Sequence, residues 1–392
     1  MEPTSLPKRP LQILMSSGVP KRREGGVAAI IYNLGRELER RGHHVTYVFQ
    51  EDLMVPGEVS GRFTELVFSF RLARYIMANR EKFSIVNLHA PVGFPYGMRR
   101  RWHGASEYPP YVMTLHGLEE RRVHVMSREV KKGRAWNYSW KNRVWHRLYH
   151  QRRFRWCIKT ADGAHAYSRD VWTMLQLKYD LDSDRVAYIP NGVEARFFIP
   201  REYRETVSLR LLYAGTWLDQ RGIFYIREAL RKIMAKFPGL TMTFAGCGAP
   251  AETIEHFFGE ELRGRVVVRP VVAAEHMQEL YAEHDVLLFP SLMEGLPAVL
   301  LEAMATGMPV ITTETCGMPD VVENEFNGFL IPPGNAAAIE GAIEQLAKSA
   351  ELRQKLGGNA RETMKRYTWE RAGGHFESLL LEVLANEERE EN

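Results

Sequence analysis

Short apolar runs alternate with stretches of helical spacing along nearly the whole chain, and this rhythm limits the fold more than any other feature. LQILMSS reads as a strand, and the glycines Gly25 and Gly26 follow it. VAAIIYNLGRELERRG then carries helical spacing and ends at Gly42. HVTYVF, FSIVNLHA, YVMTLHG, GAHAYS and RVAYIP come next, most of them separated by helix-like segments. This is the pattern of a parallel sheet covered on both faces. After IPNGVEARFFIPREYRETVS the rhythm restarts with LRLLYAG, the helical GIFYIREALRKIMAKFP, and the strands LTMTFAG, RVVVRP, DVLLFP, MPVITT and GFLIPP. Two doubly wound units of similar size are expected, with a boundary near residues 195–207. Such folds bind ligands outside the carboxyl ends of their strands, so a cleft between the two is the expected active site. The tail YTWERAGGHFESLLLEVL contains an amphipathic helix, expected to cross back onto the first domain.

At 392 residues the chain exceeds what one ordinary core supports. Apolar residues make up 45% and charged residues 26%, the composition of a soluble globular protein. No apolar stretch reaches the roughly 20 residues of a membrane span. The opening MEPTSLPKRPLQILMSSG has a basic pair but only a short apolar run, better read as a first strand than as a signal peptide. Cys157, Cys247 and Cys316 are odd in number and widely spaced, which gives neither a disulfide framework nor a metal-binding pattern. A reducing cytoplasm fits that usage.

The phrase PSLMEGLPAVLLEAMATGMPVI carries the most chemistry. Glu294 stands in a loop after the apolar run DVLLFP, and Glu302 lies eight positions on. Gly295 and Pro297 open an apolar helix that Gly307 and Pro309 close, the usual asymmetry of Pro at a helix start and Gly at its end. A loop carboxylate therefore stands beside the free N–H groups of a helix N-terminus, with a second carboxylate about a turn and a half inside. Free amides and the helix dipole suit a phosphate. Ionised carboxylates suit sugar hydroxyls. A site holding both is a nucleotide-sugar site, although either Glu alone reads equally as an acid satisfying a helix dipole.

Residues from about 185 to 335 resemble the family-four glycosyltransferases, also called glycosyltransferases group 1. The phrases that carry the resemblance are IPNGVE, LLYAGTWLDQRGI, FAGCG, LYAEHDVLLFPSLMEGLPAVLLEAMATGMPVITT and CGMPDVVENEFNGFLIPPGN, with YTWE in the tail and the early GG and TLHG. The resemblance implies an α/β GT-B fold, with two doubly wound Rossmann-like domains facing a central cleft. The implied divisions are an acceptor-binding domain over 1–200, a nucleotide-sugar domain over 201–365 and a returning helix over 366–392. It implies that Glu302 holds the nucleotide ribose and that Glu294 lies beside the donor sugar. Leu296, Pro297 and Ala298 are implicated by position in contacts to sugar and diphosphate, but Pro297 has no N–H to donate. Gly25 and Gly26 face the diphosphate and His116 approaches the donor sugar. Two cations usually neutralise the diphosphate. Here Thr216 occupies the first position and Arg221 the second, so one cation is missing at its usual place.

The implied reaction is retaining transfer of a hexose-type sugar from a nucleoside diphosphate to a glycan, a lipid-linked saccharide or another glycoconjugate. The nucleotide sugar is a substrate, and no cofactor or metal is expected. Preorganised charge on the departing diphosphate is the protein's main contribution. In a covalent route Glu294 is the only candidate nucleophile. In same-face attack, the favoured account, the departing phosphate takes the acceptor's proton and Glu294 orients hydroxyls. A catalytically silent sugar-nucleotide binder, suggested by Thr216, and a GT-B epimerase are the alternatives.

Residues 121–159 contain thirteen Lys or Arg and one acid, Glu129, interleaved with aromatic residues. In WNYSWKNRVWHRLYHQRRFRW, Trp136, Trp140, Val144 and Leu148 recur at four-residue steps. Basic residues with Trp and Tyr suit an anionic membrane surface, which would place the protein at the inner face of the cell membrane. The same pattern suits a first-domain helix with aromatics packed inward beneath a solvated basic face. Nucleic acid is not an expected partner.

Overall fold

The computed structural model describes residues 9–21, 26–59, 61–117, 119–136 and 138–391, the side chains of 62, 119, 390 and 391 excepted. The chain divides into two compact units. One comprises Met1–Glu120, Lys141–Asn191 and Trp369–Asn392, and the other comprises Arg121–Trp140 and Gly192–Thr368.

Each apolar run named above contains a strand. The first unit holds β1 (Gln12–Ser16), β2 (His44–Val48), β3 (Ile85–His89), β4 (Tyr111–Leu115), β5 (Gly163–Ala166) and β6 (Val186–Tyr188), in the order β2-β1-β3-β4-β5-β6. Every pairing is parallel. Successive side chains on a strand point to opposite faces. Accordingly Ile13 and Met15 join one buried cluster while Leu14 joins the other, so the sheet is apolar on both sides.

The helix Trp369–Glu391 groups with this first unit, as the fold expectation required. Phe376, Leu379, Leu380 and Val383 are at most 2% exposed and share a cluster with Ile13, Met15 and Leu34. Its approach to the helix Gly26–Arg40 is close enough that a Cβ on Gly373 would lie 2.5 Å from that of Glu37. Buried His43 fixes the same contact. Its Nδ1 accepts from the Leu11 N–H at 3.1 Å, which leaves Nε2 to donate to Glu377 at 2.9 Å.

The second unit holds β7 (Arg210–Ala214), β8 (Thr241–Ala245), β9 (Val266–Arg269), β10 (Val286–Phe289), β11 (Val310–Thr313) and β12 (Phe329–Ile331), in the order β12-β11-β10-β7-β8-β9. All pairings are again parallel. The direction of winding reverses between β7 and β10, which lie side by side. A reversal of this kind opens a crevice at the strands' carboxyl ends.

One division differs from expectation. The first unit does not run unbroken to residue 200, because residues 121–140 pack with the second unit. Trp136 places its ring 4.8 Å from Phe224, 5.5 Å from Phe257 and 6.1 Å from Trp217, centroid to centroid. Tyr225 donates to Glu129 at 2.7 Å and Arg134 donates to Glu228 at 2.9 Å. These contacts span about a hundred positions, beyond what a periodicity reading detects.

Candidate functional site

The loops after β7 and β10 meet at the winding reversal. Gly222 ends the turn Asp219–Arg221 with φ of +76°. A Cβ there would lie 2.1 Å from the carbonyl oxygen of Pro290, so only glycine admits this approach. The Leu292 N–H donates to the Gln220 carbonyl at 2.8 Å, and the Ser291 hydroxyl reaches the same oxygen at 3.3 Å. Thus the loop 290–297 is laced to the turn that carries Arg221. Arg221 and Glu294 form an ion pair, their side chains only 17% and 21% exposed. The Arg221 guanidinium also lies over the Phe289 ring at 5.3 Å, and burial holds its pKa below the ordinary arginine value.

A third loop supports the same place. Cys316 takes a left-handed backbone with φ of +54°, and its Sγ accepts from the Glu294 N–H at 3.4 Å. The Gly317 N–H donates to the Gly295 carbonyl at 3.0 Å, and Arg121 donates to Cys316 Sγ at 3.3 Å.

The helix Ala298–Ala305 begins at the end of the Glu294 loop. Pro297 is its N-cap, no side chain caps it, and its first turn contains no acid. The N–H groups of a helix's first turn lack intrahelical partners and point outward. Leu296 is buried and Ala298 is half-buried at this entrance. Glu302 follows Ala298 by four residues and so projects from the same helical face. Tyr281 donates to Glu302 Oε2 at 2.7 Å. Burial raises the Glu302 carboxyl to about 7; the Tyr281 bond opposes the rise, nearby Glu194 adds to it and Arg196 reduces it.

Thr216 is exposed just beyond β7, and its carbonyl accepts from the Tyr213 hydroxyl at 2.9 Å. It brings no charge to the place where a cation is usual.

Gly25 lies outside the described residues. Gly26 opens the helix Gly26–Arg40 in an exposed position with φ of +66°, and no atom stands within 4 Å of where its Cβ would be. His116, also in the first unit, follows β4. Its Nε2 shares a hydrogen bond of 2.6 Å with Nδ1 of buried His89, and its ring stacks on Tyr167 at 4.9 Å. Burial, with His165 adding to it, lowers the His116 pKa to about 3, so its ring is neutral at ordinary pH. His165 donates from Nε2 to the Ile189 carbonyl at 2.8 Å, which leaves Nδ1 to accept from Thr114 at 3.4 Å. Sequence reasoning missed Tyr281, Cys316 and His89. Tyr281 meets Glu302 and Cys316 meets Glu294 in the second unit, and His89 meets His116 in the first, each across more than twenty positions, and no local motif marks such a contact.

The basic stretch splits into two parts. Trp136 packs as described and Tyr138 is buried. Beyond them come the helices Trp140–Trp145 and Gln151–Thr160, joined by a π-helical turn, His146–His150. Trp140, Val144 and Leu148 are 63%, 47% and 54% exposed on this segment, beside exposed Lys141, Arg147, Arg152 and Arg155. Trp145, Tyr149 and Phe154 turn partly inward. Trp136 does not continue the stripe, because it precedes the helix and, though 42% exposed, packs on Phe224 and Phe257 within the second unit. Among the described residues no helix is long and apolar enough to cross a membrane.

Two parallel sheets flanked by helices, the second with a winding reversal between β7 and β10, define a pair of doubly wound α/β units. The model for glycosyl transferases group 1 matches residues 198–363, and that for glycosyltransferase family 4 matches residues 24–197. The chain belongs to the group 1, family-four glycosyltransferases. It is similar in structure to a sucrose-phosphate synthase from Thermosynechococcus elongatus, with a TM-score of 0.77 and 20% identity over 96% of this chain and 100% of that one. It also matches Anabaena HepE in complex with UDP-glucose, with a TM-score of 0.66 and 16% identity over 94% and 99%. These likenesses show the GT-B fold. In sequence it is 27% identical to a D-inositol 3-phosphate glycosyltransferase from Corynebacterium diphtheriae, over 51% of each chain. The chain spans about half the length, or less, of the first curated relatives it matches.

Proposed function

We propose that this protein transfers a sugar from a nucleoside diphosphate to a hydroxyl of a glycan, lipid-linked saccharide or other glycoconjugate, with retention and without a metal or cofactor. The reading rests on one observation: the Glu302 carboxyl projects from the face of a helix whose uncapped first turn follows the Arg221–Glu294 pair. Glu302 accepts hydrogen bonds from ribose hydroxyls. The amides at Ala298 and the Arg221 guanidinium hold the diphosphate, whose developing charge dominates the barrier. Thr216 supplies no second cation, so Arg221 carries that task more heavily. Gly25 and Gly26 are proposed to face the diphosphate by backbone, with Leu296 beside the donor.

Glu294 orients donor hydroxyls. Its carboxylate is engaged by Arg221, which leaves it less free for nucleophilic attack and supports departure and attack on one face. Neutral His116 is suited to hydrogen-bonding a donor-sugar hydroxyl rather than to supplying charge. A UDP-sugar is the donor to try first, since the fold neighbour HepE was solved with UDP-glucose. The exposed apolar and basic side chains of residues 140–159 fit an anionic membrane surface, where a lipid-linked acceptor would be met.

The test is incubation with a panel of nucleotide sugars, with and without acceptors, followed by product analysis. Release of nucleoside diphosphate with a new glycosidic bond of unchanged anomeric configuration is expected. A converted nucleotide sugar without acceptor would identify an epimerase. Binding without turnover of any donor would identify a silent binder, which the uncharged Thr216 favours as the second reading.

A further inference from the structure

We propose that the second unit carries a groove for a phosphate-bearing ligand, lined by none of the residues assigned to the donor. Lys132, Gly133 and Arg134 follow the helix Glu119–Lys131 and face Phe224, Arg227, Glu228, Arg231 and Lys232 around a cavity of about 380 Å³. The latter five share one face of the helix Ile223–Lys236, since residues three and four apart are neighbours there. Five cations and one carboxylate thus surround one space.

The acids nearby are already engaged. Glu228 pairs with Arg134 at 2.9 Å, Glu129 with Lys132 at 2.9 Å, and Glu261 with Arg231 at 2.5 Å. Arg227 differs from its neighbours. Its guanidinium lies 4.2 Å from the Phe257 ring centroid and 5.6 Å from that of Phe224, and it donates to the Phe257 carbonyl at 3.2 Å. Among the described residues no carboxylate forms an ion pair with it. Burial and the charges of Arg231 and Arg134 disfavour its ionised form. The rings hold this cation in place, so it is presented without the loss of side-chain freedom that a loose arginine suffers on binding.

Arg227 and Lys232 are the lining cations that form no ion pair with a carboxylate among the described residues, and an anion beside them gains charge-assisted hydrogen bonds. A tetrahedral phosphate in this space would accept from Arg227 and Lys232, while Lys132 is held by Glu129 and the Tyr225 hydroxyl and adds charge at the rim. Phe224 gives the groove an apolar wall, suited to the carbon portion of a phosphomonoester or to the glycerol of a lipid headgroup.

Titration calorimetry with glycerol 3-phosphate, and flotation with vesicles of phosphatidic acid in phosphatidylcholine, test the groove and separate its two sources. The wild type is expected to bind at least one probe. R227Q and K232E should each weaken that binding about tenfold, a loss of about 1.4 kcal/mol. R227K should retain part of it, and R221Q, which alters the proposed donor site, should bind like the wild type. Lys232 is exposed, so K232E keeps a folded reference should R227Q unfold. Groove-dependent binding of the soluble ester alone identifies a free phosphate ligand, and of vesicles alone a lipid headgroup. A wild type that binds neither probe, or variants that bind as tightly as the wild type, overturn the proposal.

Discussion

Arg221 and Glu294 close on each other as a part-buried ion pair, so the cation assigned to the diphosphate and the acid assigned to the donor sugar neutralise one another. The pairing follows from Gly222, whose missing Cβ lets the Arg221 turn touch Pro290. A diphosphate must therefore compete with Glu294 for the guanidinium. Glu294→Gln should tighten UDP several-fold in calorimetry while lowering sugar transfer by about a hundredfold, the usual effect of losing a group that acts in the transition state. Arg221→Gln should weaken UDP and leave Glu294 uncompensated. The stability loss should be about 2–3 kcal/mol, below that of a wholly buried pair. Equal UDP affinity in Glu294→Gln and the wild type would mean that the two residues do not compete.

Glu302 carries a pH signature. Its carboxyl lies near 7, above the ordinary glutamate value, because burial penalises the charged form. A raised carboxyl stabilises the fold fully below about pH 4.5, and that contribution is lost as pH climbs through 7. Thermal melting of wild type against Glu302→Gln should therefore show the wild type losing ground between those limits. Under the proposed ribose role ligand affinity runs the other way, since an ionised carboxylate can accept from two ribose hydroxyls whereas the neutral acid carries a hydrogen on one oxygen. UDP binding should strengthen as pH rises through 7 in the wild type and stay flat in Glu302→Gln. A flat wild-type profile would remove the ribose role.

The strands and the helix that carries Glu302 were legible because their signals are local. Short apolar runs, period-3.6 patterns, and a proline and glycine bracketing a helix act within a few residues. The C-terminal helix was legible as amphipathic, and its landing place followed only from the family resemblance. What stayed hidden depends on side chains distant in sequence. Trp136 looked like the first step of a helical stripe at 136, 140, 144 and 148, but the helix starts at Trp140, and Trp136 packs against Phe224 and Phe257. Tyr281 stood inside the recognised phrase LYAEHD, yet its bond to Glu302 spans twenty-one positions.

The C-terminal helix completes the first unit's core, and this sets a separate expectation. Phe376 is fully buried among Ile13, Met15 and Leu34, so Phe376→Ala should cost about 3–5 kcal/mol. Glu377→Gln should cost about 1–3 kcal/mol, since it weakens the bonds from buried His43 and from Arg41. Urea unfolding measures both. UDP affinity of the folded Glu377→Gln protein should match the wild type, because its partners Arg41 and His43 lie beyond the far end of the helix that Gly26 opens and are none of the residues proposed to hold the donor. A loss of affinity in folded Glu377→Gln would contradict that independence.

The proposed membrane attachment should separate the two parts of the basic stretch. Trp140 and Leu148 expose apolar surface beside Lys141, Arg147 and Arg152, whereas Trp136, though 42% exposed, rests against the rings of Phe224 and Phe257. Trp140→Ser with Leu148→Ser should therefore reduce co-sedimentation with phosphatidylglycerol vesicles about tenfold and leave the melting temperature nearly unchanged. Trp136→Ser should do the reverse, lowering the melting temperature while largely sparing vesicle binding. Arg147→Glu should weaken attachment most at low salt, where a surface charge acts over about 30 Å, and least at 1 M salt, where it acts over about 3 Å. Vesicle binding that ignores both the apolar pair and the salt would place the contact elsewhere on the chain. Binding lost in Trp136→Ser alone would show that the aromatic cluster, and not the exposed stripe, meets the lipid.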